Sequence, residues 1–207
     1  MYLLDSNQLK YQQRLLQSLN NKDQSLLKTL VSTNPFALNA LTDTTDIFGR
    51  SIIFFIRDIH LLKSMLDTKK FENLFSLIDA RGFSAIHNFI DVKNVDALQV
   101  FLNHFHHKLS DRMKATSNNI HKHANEDQNA TILEFANAEG LTPLLMASKH
   151  GQLRTVTLLT QFGANLLAVN PRNSDNCLHM AVVSQNRELV EFLITKGILQ
   201  NSSNRVD

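Results

Sequence analysis

Gly140-Leu141-Thr142-Pro143-Leu144-Leu145-Met146-Ala147-Ser148-Lys149-His150-Gly151 is the stretch that most specifically predicts a local structure. The hydroxyl of Thr142 can cap a helix, and Pro143 suits the first helical position because no N–H is needed there. A second helix follows, and its apolar face consists of Leu153, Val156 and Leu159. Gly163 is placed to end that helix in a left-handed conformation. The stretch therefore predicts two short helices joined by a short loop.

The same pattern recurs along the chain at a nearly constant interval. Thirty-four residues later, Asn176-Cys177-Leu178-His179-Met180-Ala181 repeats it, with apolar positions and Gly197 at the same offsets. Upstream, Gly82-Phe83-Ser84-Ala85-Ile86-His87-Asn88-Phe89 opens another copy. A weaker copy starts at Gly49-Arg50-Ser51-Ile52-Ile53-Phe54. Few glycines and prolines remain for tight hairpins, which favours helices over a β-sandwich.

These segments resemble the ankyrin repeat, whose hallmark is G-x-T-P-L-H-x-A at a period of about 33 residues. The resemblance is closest over 137–199, extends to 79–102 and is degraded over 46–78. It implies an all-α fold: an ankyrin-repeat solenoid of about four recognisable repeats plus a helical N-terminal cap. Terminal repeats are atypical because one of their faces must meet water.

The pattern divides the chain into seven predicted segments. They are a helical N-terminal cap (1–45), a degenerate ankyrin repeat (46–78), an ankyrin repeat with an extended second helix (79–114), a polar insertion loop (115–136), an ankyrin repeat (137–169), a C-terminal ankyrin repeat (170–199) and a polar tail (200–207).

The third repeat departs from the pattern because Phe105 stands where its closing glycine is expected. Apolar residues continue at helical spacing through Val95, Leu98, Leu102, Phe105, Leu109 and Met113, so the helix should run to about Lys114. We expect this stripe to pack against the repeats or the insertion; the alternative is a docking ridge for a partner helix. The insertion either lies on the face that is used or has no role.

The composition limits which classes of partner and which compartment we expect. With 21 basic and 19 acidic residues, the net charge of +2 predicts neither nucleic acid nor an anionic membrane surface as a partner. The longest apolar run, 52–56, is too short to span a membrane, and the N-terminus does not resemble a signal peptide. The single cysteine excludes an internal disulfide and permits a reducing compartment. We expect a cytoplasmic protein, or one in a host cytosol if it is secreted without a leader.

The histidines and the single cysteine are the candidates for catalytic or metal-binding chemistry. The histidines His104, His106, His107, His121 and His123 cluster in sequence, but only His104 and His107 have the spacing to face each other, and nothing completes a zinc site. Cys177 occupies the proline position of the last repeat and is expected to be an inert thiol. His87 and His179 lie in the histidine position of the repeat, where the imidazole bonds to a neighbouring loop. No nucleotide or nucleophile motif occurs. We therefore predict no enzyme, no cofactor, no metal and no small-molecule substrate.

The resemblance also implies which positions face a partner: those beside the repeat glycine and those late in the first helix. In this chain they include Arg50, Arg81, Phe83, Asp91, Glu139, Leu141, Lys149, His150, Arg172, Asn173, Asp175 and Ser184, with Phe48, Asp58, Ala138 and Val183 in the wider set. Because Arg and aromatic residues are frequent interface anchors, we expect Arg81 with Phe83, and Arg172 with Asp175, to matter most.

The predicted function is that of a protein-binding module, an adaptor or inhibitor that holds one partner on its concave surface. A first alternative is a secreted bacterial effector, because degenerate Asn- and Lys-rich repeats with a large insertion resemble ankyrin proteins of intracellular bacteria. A second alternative is an enzyme or enzyme fragment that uses the insertion.

Overall fold

A computed structural model describes residues 52–66, 78–115 and 132–198, together with positions 14, 17, 25, 29, 48 and 50. The predicted N-terminal cap, most of the insertion and the polar tail lie outside the described residues. The chain divides into two compact units, Met1–Ala85 and Ile86–Asp207.

The regular elements of the described residues are all helices. There is one isolated antiparallel bridge, between Val169 and Asn176, and no strand among these residues, so the all-α prediction is confirmed. A 3-10 helix covers Ile52–Phe54. The α-helices are α1 (Ile59–Leu66), α2 (Ala85–Asp91), α3 (Val95–Ala115), α4 (Pro143–Lys149), α5 (Leu153–Gln161), α6 (Cys177–Val183) and α7 (Arg187–Thr195). None of them is both long enough and apolar enough to cross a membrane.

The first helices of the last two repeats begin at side-chain caps. The N–H of Leu145 donates to the hydroxyl of Thr142 over 3.4 Å, and Pro143 is the first helical residue, as predicted. In the next repeat Asn176 replaces the threonine and accepts from the N–H groups of Leu178 and His179, each at 3.0 Å. The cap, rather than the residue that supplies it, is therefore what the two repeats share.

Left-handed residues mark the register of the repeats. Each of three repeats has one such residue before its first helix and another eleven residues later, between its two helices. The pairs are Gly82 and Lys93, Gly140 and Gly151, and Ser174 and Gln185. A further one follows the second helix at Gly163 and Gly197. Non-glycine residues rarely adopt this conformation, so its recurrence at constant spacing confirms the predicted register.

The second repeat is reduced. Its first helix is only the 3-10 turn Ile52–Phe54, and Asp58 caps α1 by accepting from the N–H of Leu61 at 3.0 Å. The resemblance placed Asp58 late in the first helix, and that placement is wrong because the first helix ends earlier. Ile53, Leu62 and Met65 are nonetheless buried and form part of the core of this unit.

Aliphatic side chains, mainly leucines, form most of the core of the unit Ile86–Asp207, together with buried alanines and phenylalanines. α4 packs against α5 and α6, and α6 packs against α7. Ala147 and Ala181, which occupy the same position of successive repeats, are fully buried. The rings of Phe89 and Phe101 meet edge to face at 5.5 Å and join α2 to α3. The equivalent burial of the two alanines is what stacked repeats require.

The long helix α3 ends at Ala115, close to the predicted Lys114. The ring centroid of Phe105 lies 4.9 Å from that of Phe101. Phe105 also lines a small pocket with Leu102, His106, Ile132, Leu133 and Phe162, whose free space of about 10 Å³ holds no more than about one water molecule. The described part of the stripe therefore packs within its own unit, as expected. The side chains of Leu109 and Met113 lie outside the described residues.

The end of the predicted polar insertion (115–136) is not a loop. Residues 132–134 are helical and Leu133 is buried. The ring of Phe135 lies edge-on to His87 at 6.4 Å, and Glu134 accepts from the N–H of Asn165 at 2.7 Å. The prediction is wrong for these residues because Leu133 and Phe135 reach apolar surface on the preceding and following repeats.

Candidate functional site

The turns before the first helices are held by one side chain each; we call 79–82, 137–140 and 170–174 the tip turns. In 137–140, Asn137 accepts from the N–H groups of Glu139 at 2.9 Å and Leu141 at 3.0 Å. In 79–82, Asp79 accepts from Arg81 at 2.9 Å and Phe83 at 2.8 Å. Because the turn satisfies its own N–H groups, the residues at its outer edge, such as Ala138 and Glu139, remain exposed.

Successive tip turns of the second unit bind each other. The amide of Asn170 donates to the carbonyl of Glu139 at 3.2 Å, and the guanidinium of Arg172 donates to the carbonyl of Ala138. Gly140 makes this approach possible because a Cβ there would lie 2.5 Å from Oδ1 of Asn170. Arg172 thus has a structural contact that sequence reasoning missed, since nothing in the local sequence indicates a bond to a residue 34 positions earlier.

An ion pair joins a tip turn to the end of a helix. Nζ of Lys149, the last residue of α4, donates to Oε2 of Glu139 at 2.8 Å. This bond from Lys149 is the main reason why the pKa of Glu139 lies below its usual value; the nearby charges of Lys149, His150 and Arg172 add to the effect, and partial burial opposes it. Because both side chains are exposed, the pair contributes little to stability, but it places the two elements on one face.

The end of α6 lies beside the end of α4. A Cβ on Gly151 would lie 3.2 Å from the hydroxyl of Ser184, so the turn after His150 contacts the residue that caps α6. Val183 precedes Ser184 and is 72% exposed, an unusual degree for a valine at the end of a packed helix. The ends of α4 and α6 therefore border the same surface as the tip turns 137–140 and 170–174.

Two of the predicted partner-facing residues are not at the surface. Phe83 and Leu141 are 6% and 3% exposed. The N–H of each binds the side chain that starts its tip turn, and this bond turns the apolar side chain into the core. The prediction is wrong for these two side chains. The guanidinium of Arg81 lies 3.9 Å from the centre of the Phe83 ring and so covers it.

The remaining predicted residues lie at or near the surface. Arg81 also pairs with Asp79 at 3.1 Å, and the guanidinium of Arg50 lies 5.0 Å from the ring of Phe48 and 4.7 Å from that of Phe55. Asp91 is exposed at the end of α2. The amide of Asn173 donates to Asp175 at 2.6 Å. Asp175 is therefore held by Asn173 rather than by Arg172.

Cys177 does not have the features of a nucleophile. It is fully buried, and burial raises the pKa of its thiol to about 11. Its S–H donates to the carbonyl of Leu166 at 3.2 Å. A thiol with this pKa stays protonated at neutral pH, as expected for a structural cysteine.

His87 and His179, which occupy the same position of their repeats, have different hydrogen-bond partners. Nε2 of His87 lies 2.9 Å from the carbonyl of Leu141 in the next repeat, as predicted. His179 is exposed, and its Nδ1 accepts from the N–H of Asn176 at 3.3 Å within its own repeat. The prediction of a bond to a neighbouring loop is wrong for His179, since no further repeat follows it among the described residues. Among all the residues that the structure describes, no three His, Cys, Asp or Glu side chains are grouped closely enough to hold a metal ion.

Comparisons with known proteins agree with this backbone pattern. Residues 113–204 match the family model for ankyrin repeats in three copies. Over 80 residues the chain is 36% identical to the Notch-regulated ankyrin repeat-containing proteins of Xenopus tropicalis and Xenopus laevis, which covers 37% of this chain and 69% of each relative. It is 37% identical over 59 residues to BRCA1-associated RING domain protein 1 of Caenorhabditis elegans, covering 28% of this chain and only 8% of that protein. The chain belongs to the ankyrin-repeat family.

Proposed function

We propose that this chain is an adaptor or inhibitor that binds one partner protein, and that in the second unit the binding face consists of the tip turns 137–140 and 170–174 with the ends of α4 and α6. Ankyrin repeats in general mediate protein–protein interaction. The observation that carries the proposal is the Glu139–Lys149 pair, which joins a tip turn to the end of α4 on one exposed surface. Such a surface offers charged groups on a backbone whose own hydrogen bonds are already made.

The proposed partner-binding residues of the second unit are those that the structure leaves exposed or half-exposed on this face. They are Ala138, Glu139, Lys149, His150, Arg172, Asn173, Asp175, Val183 and Ser184. Asp91, at the end of α2, occupies the corresponding position one repeat earlier. Within the first unit, Arg50 and Arg81 are proposed on the same grounds, because guanidinium groups held over aromatic rings lose little freedom when a partner binds.

The experiment is site-specific photocrosslinking. A photoreactive amino acid replaces Ala138 on the face or Gln161 at the end of α5, both of which are exposed. Proteins crosslinked in cells are identified by mass spectrometry, and each candidate is purified and titrated against the full chain. We expect a partner that crosslinks from position 138 and not from 161. Its affinity should fall for Lys149→Ala and stay unchanged for Arg154→Ala, an exposed residue of α5. A partner that binds both variants equally contradicts the proposed face.

The same experiment bears on the proposed location and on the effector alternative. We propose a cytoplasmic site, for which a single buried thiol is suited, because a reducing compartment leaves it unchanged. An effector would instead crosslink to host proteins after transfer from the producing cell. A secretion assay with an epitope-tagged full chain distinguishes the two, since an effector would be recovered from host cytosol and a resident protein from the producing cell alone.

A further inference from the structure

Four repeat positions are buried in two successive repeats and open to solvent in the repeat of α6 and α7. In that repeat they are Leu178, His179, Val182 and Val190, which we call the end face. Counted from the left-handed residues, the same positions are Ile86, His87, Ile90 and Leu98, then Leu144, Leu145, Ser148 and Val156, and all eight are at most 1% exposed. Val182 is 60% exposed, His179 is exposed and the other two are half-buried. The end face is therefore the surface that a following repeat covers elsewhere in this unit.

The end face also has a hydrogen-bond donor that an earlier repeat uses. Nδ1 of His179 accepts from the N–H of Asn176, so Nε2 carries the proton of the neutral imidazole. At the same repeat position, Nε2 of His87 lies 2.9 Å from the carbonyl of Leu141 in the following repeat. Among the described residues, Nε2 of His179 has no such acceptor.

The tip turn 170–174, which leads into α6, has acceptors of the same kind. In the tip turn before it, the carbonyls of Ala138 and Glu139 accept from side chains of the following repeat. The carbonyls of Arg172 and Asn173 accept no hydrogen bond from any residue that the structure describes. A molecule that continues the stack thus meets apolar side chains, a donor and acceptors together.

The charges of this repeat balance. They are Arg172, Asp175, Arg187, Glu188, Glu191 and Lys196, three of each sign, and none of them belongs to the end face. A surface without net charge does not repel a copy of itself, and it gives a strongly acidic or basic partner no electrostatic advantage. Two copies that pair about a twofold axis must present self-complementary surfaces, which an apolar face with both a donor and acceptors can provide.

We propose that the occupant of the end face is a second copy of this chain, and that two copies pair through their end faces about a twofold axis. The Val182 side chains then pack together, and Nε2 of each His179 donates to a carbonyl in the tip turn 170–174 of the other copy. Because one end face is smaller than a standard protein interface, the dimer is weak, with a dissociation constant on the order of 10–100 µM. This inference does not rest on the proposed function.

Sedimentation velocity of the full chain tests the pairing. From about 1 µM to about 300 µM, concentrations on either side of that constant, the average mass should rise from 23.5 kDa toward twice that value and stop there. Val182→Glu should weaken the dimer at least about tenfold, because it brings two carboxylates into an apolar contact.

The neighbouring valine supplies a matched control. Val183 is 72% exposed, and its position is also exposed in the two preceding repeats, at Lys149 and Asp91, so it lies off the end face. Val183→Glu should therefore change the dissociation constant of the dimer by no more than about twofold, and thermal melting checks that both variants fold. Because Val183 is among the proposed partner-binding residues, the two variants also separate the dimer from the partner complex.

Hydrogen exchange gives an independent measurement. The chain is a monomer at about 1 µM, and the amides of α6 should exchange more slowly at about 300 µM, where the end face is covered. Rates that do not depend on concentration contradict the pairing.

Three sedimentation results would overturn the inference. They are a chain that stays monomeric throughout, a mass that grows beyond twice the monomer and so indicates head-to-tail association, and equal losses for Val182→Glu and Val183→Glu. Photocrosslinking to a partner from position 138 is read without reference to the dimer, so either proposal can fail while the other stands.

Discussion

At Gly140 two separate constraints exclude a β-carbon. The backbone has a φ of +78°, and a Cβ would lie 2.5 Å from Oδ1 of Asn170, the residue that links the two tip turns. Gly163 has a similar φ of +89°, but a Cβ there would meet no atom within 4 Å. A substitution at Gly163 therefore has only the conformational cost of a side chain at positive φ, whereas one at Gly140 has that cost and a steric cost as well.

We expect Gly140→Ala to lower the free energy of unfolding by about 3 kcal/mol and Gly163→Ala by about 1 kcal/mol, because only the first also displaces Asn170. Urea denaturation of the two variants measures the difference. Equal losses would show that Asn170 moves aside without cost and that the contact between the tip turns is weak.

Burial of Cys177 predicts slow thiol chemistry. Its pKa is raised from 9.0 to about 11, so at pH 8 the thiolate fraction is about a hundredfold lower than for an ordinary cysteine. Because the folded pKa is the higher one, the associated stability is fully present below about pH 9 and is lost as the pH rises through 11. Ellman's reagent at pH 8 should label the native chain at least about a hundredfold more slowly than the urea-unfolded chain. Equal rates would restore Cys177 as a candidate nucleophile.

Residue-level signals in the sequence predict what is local. The capping hydroxyl of Thr142 and the missing N–H of Pro143 predict that a helix starts there, and the structure confirms both positions. The left-handed conformations of Lys93, Ser174 and Gln185 carry no such signal, since the surrounding repeat imposes them on residues that do not prefer them. The burial of Leu141 could not be predicted either: the resemblance implies that its repeat position faces a partner, whereas in the structure its N–H binds Asn137 and its side chain is buried.

At the scale of the elements, α5 and α7 are each linked to the preceding repeat by a hydrogen bond. The side chain of the residue just before the helix donates it. Gln152 donates to the carbonyl of Ile90 at 2.8 Å, and Asn186, in the same position of the next repeat, donates to the carbonyl of Gly151 at 2.7 Å. Asn186 also caps α7 by accepting from the N–H of Leu189 at 3.0 Å. One amide thus starts a helix and holds two repeats together.

The two roles of Asn186 can be measured separately. Asn186→Ala removes both and should lower the free energy of unfolding by about 2 kcal/mol. Asn186→Ser keeps an oxygen for the cap but cannot reach Gly151, so about half of that loss should return. Chemical denaturation of both variants gives the values. If Asn186→Ser is as unstable as Asn186→Ala, the cap contributes nothing and the bond between repeats accounts for the whole effect.

The length of α3 could be predicted, whereas its surroundings could not. Phe105 continues the apolar spacing where Gly163 and Gly197 end the other second helices, and a helix without a stop signal continues. Ile132 and Leu133 line the pocket beside Phe105. Their position there depends on how the chain returns after the insertion. A contact between residues so far apart in sequence leaves no periodic pattern, so it could not be predicted from the sequence.

At the scale of the whole second unit, the repeats differ in how well their neighbours cover them. In α4, residues 143–148 are all buried, because repeats lie on both sides. In α6 the corresponding face includes Val182, 60% exposed, where α4 has the fully buried Ser148. Stacked repeats gain much of their stability from the interfaces between neighbours, and among the described residues the repeat of α6 and α7 has only one neighbour. The unit should therefore open from α7 and α6 inward.

Native-state hydrogen exchange tests this order directly. We expect the amides of α4 to exchange with an opening free energy about 1–3 kcal/mol above those of α6 and α7, because opening the last repeat breaks one interface and opening the middle one breaks two. Asn186→Ala should widen this gap, since it removes both the cap of α7 and the bond between the last two described repeats. As a matched comparison, Arg187→Ala removes an exposed ion pair with Glu191 on the same helix and should leave the gap unchanged. Uniform protection across α4, α6 and α7 would mean that the unit unfolds as one block and that its exposed end carries no deficit in stability.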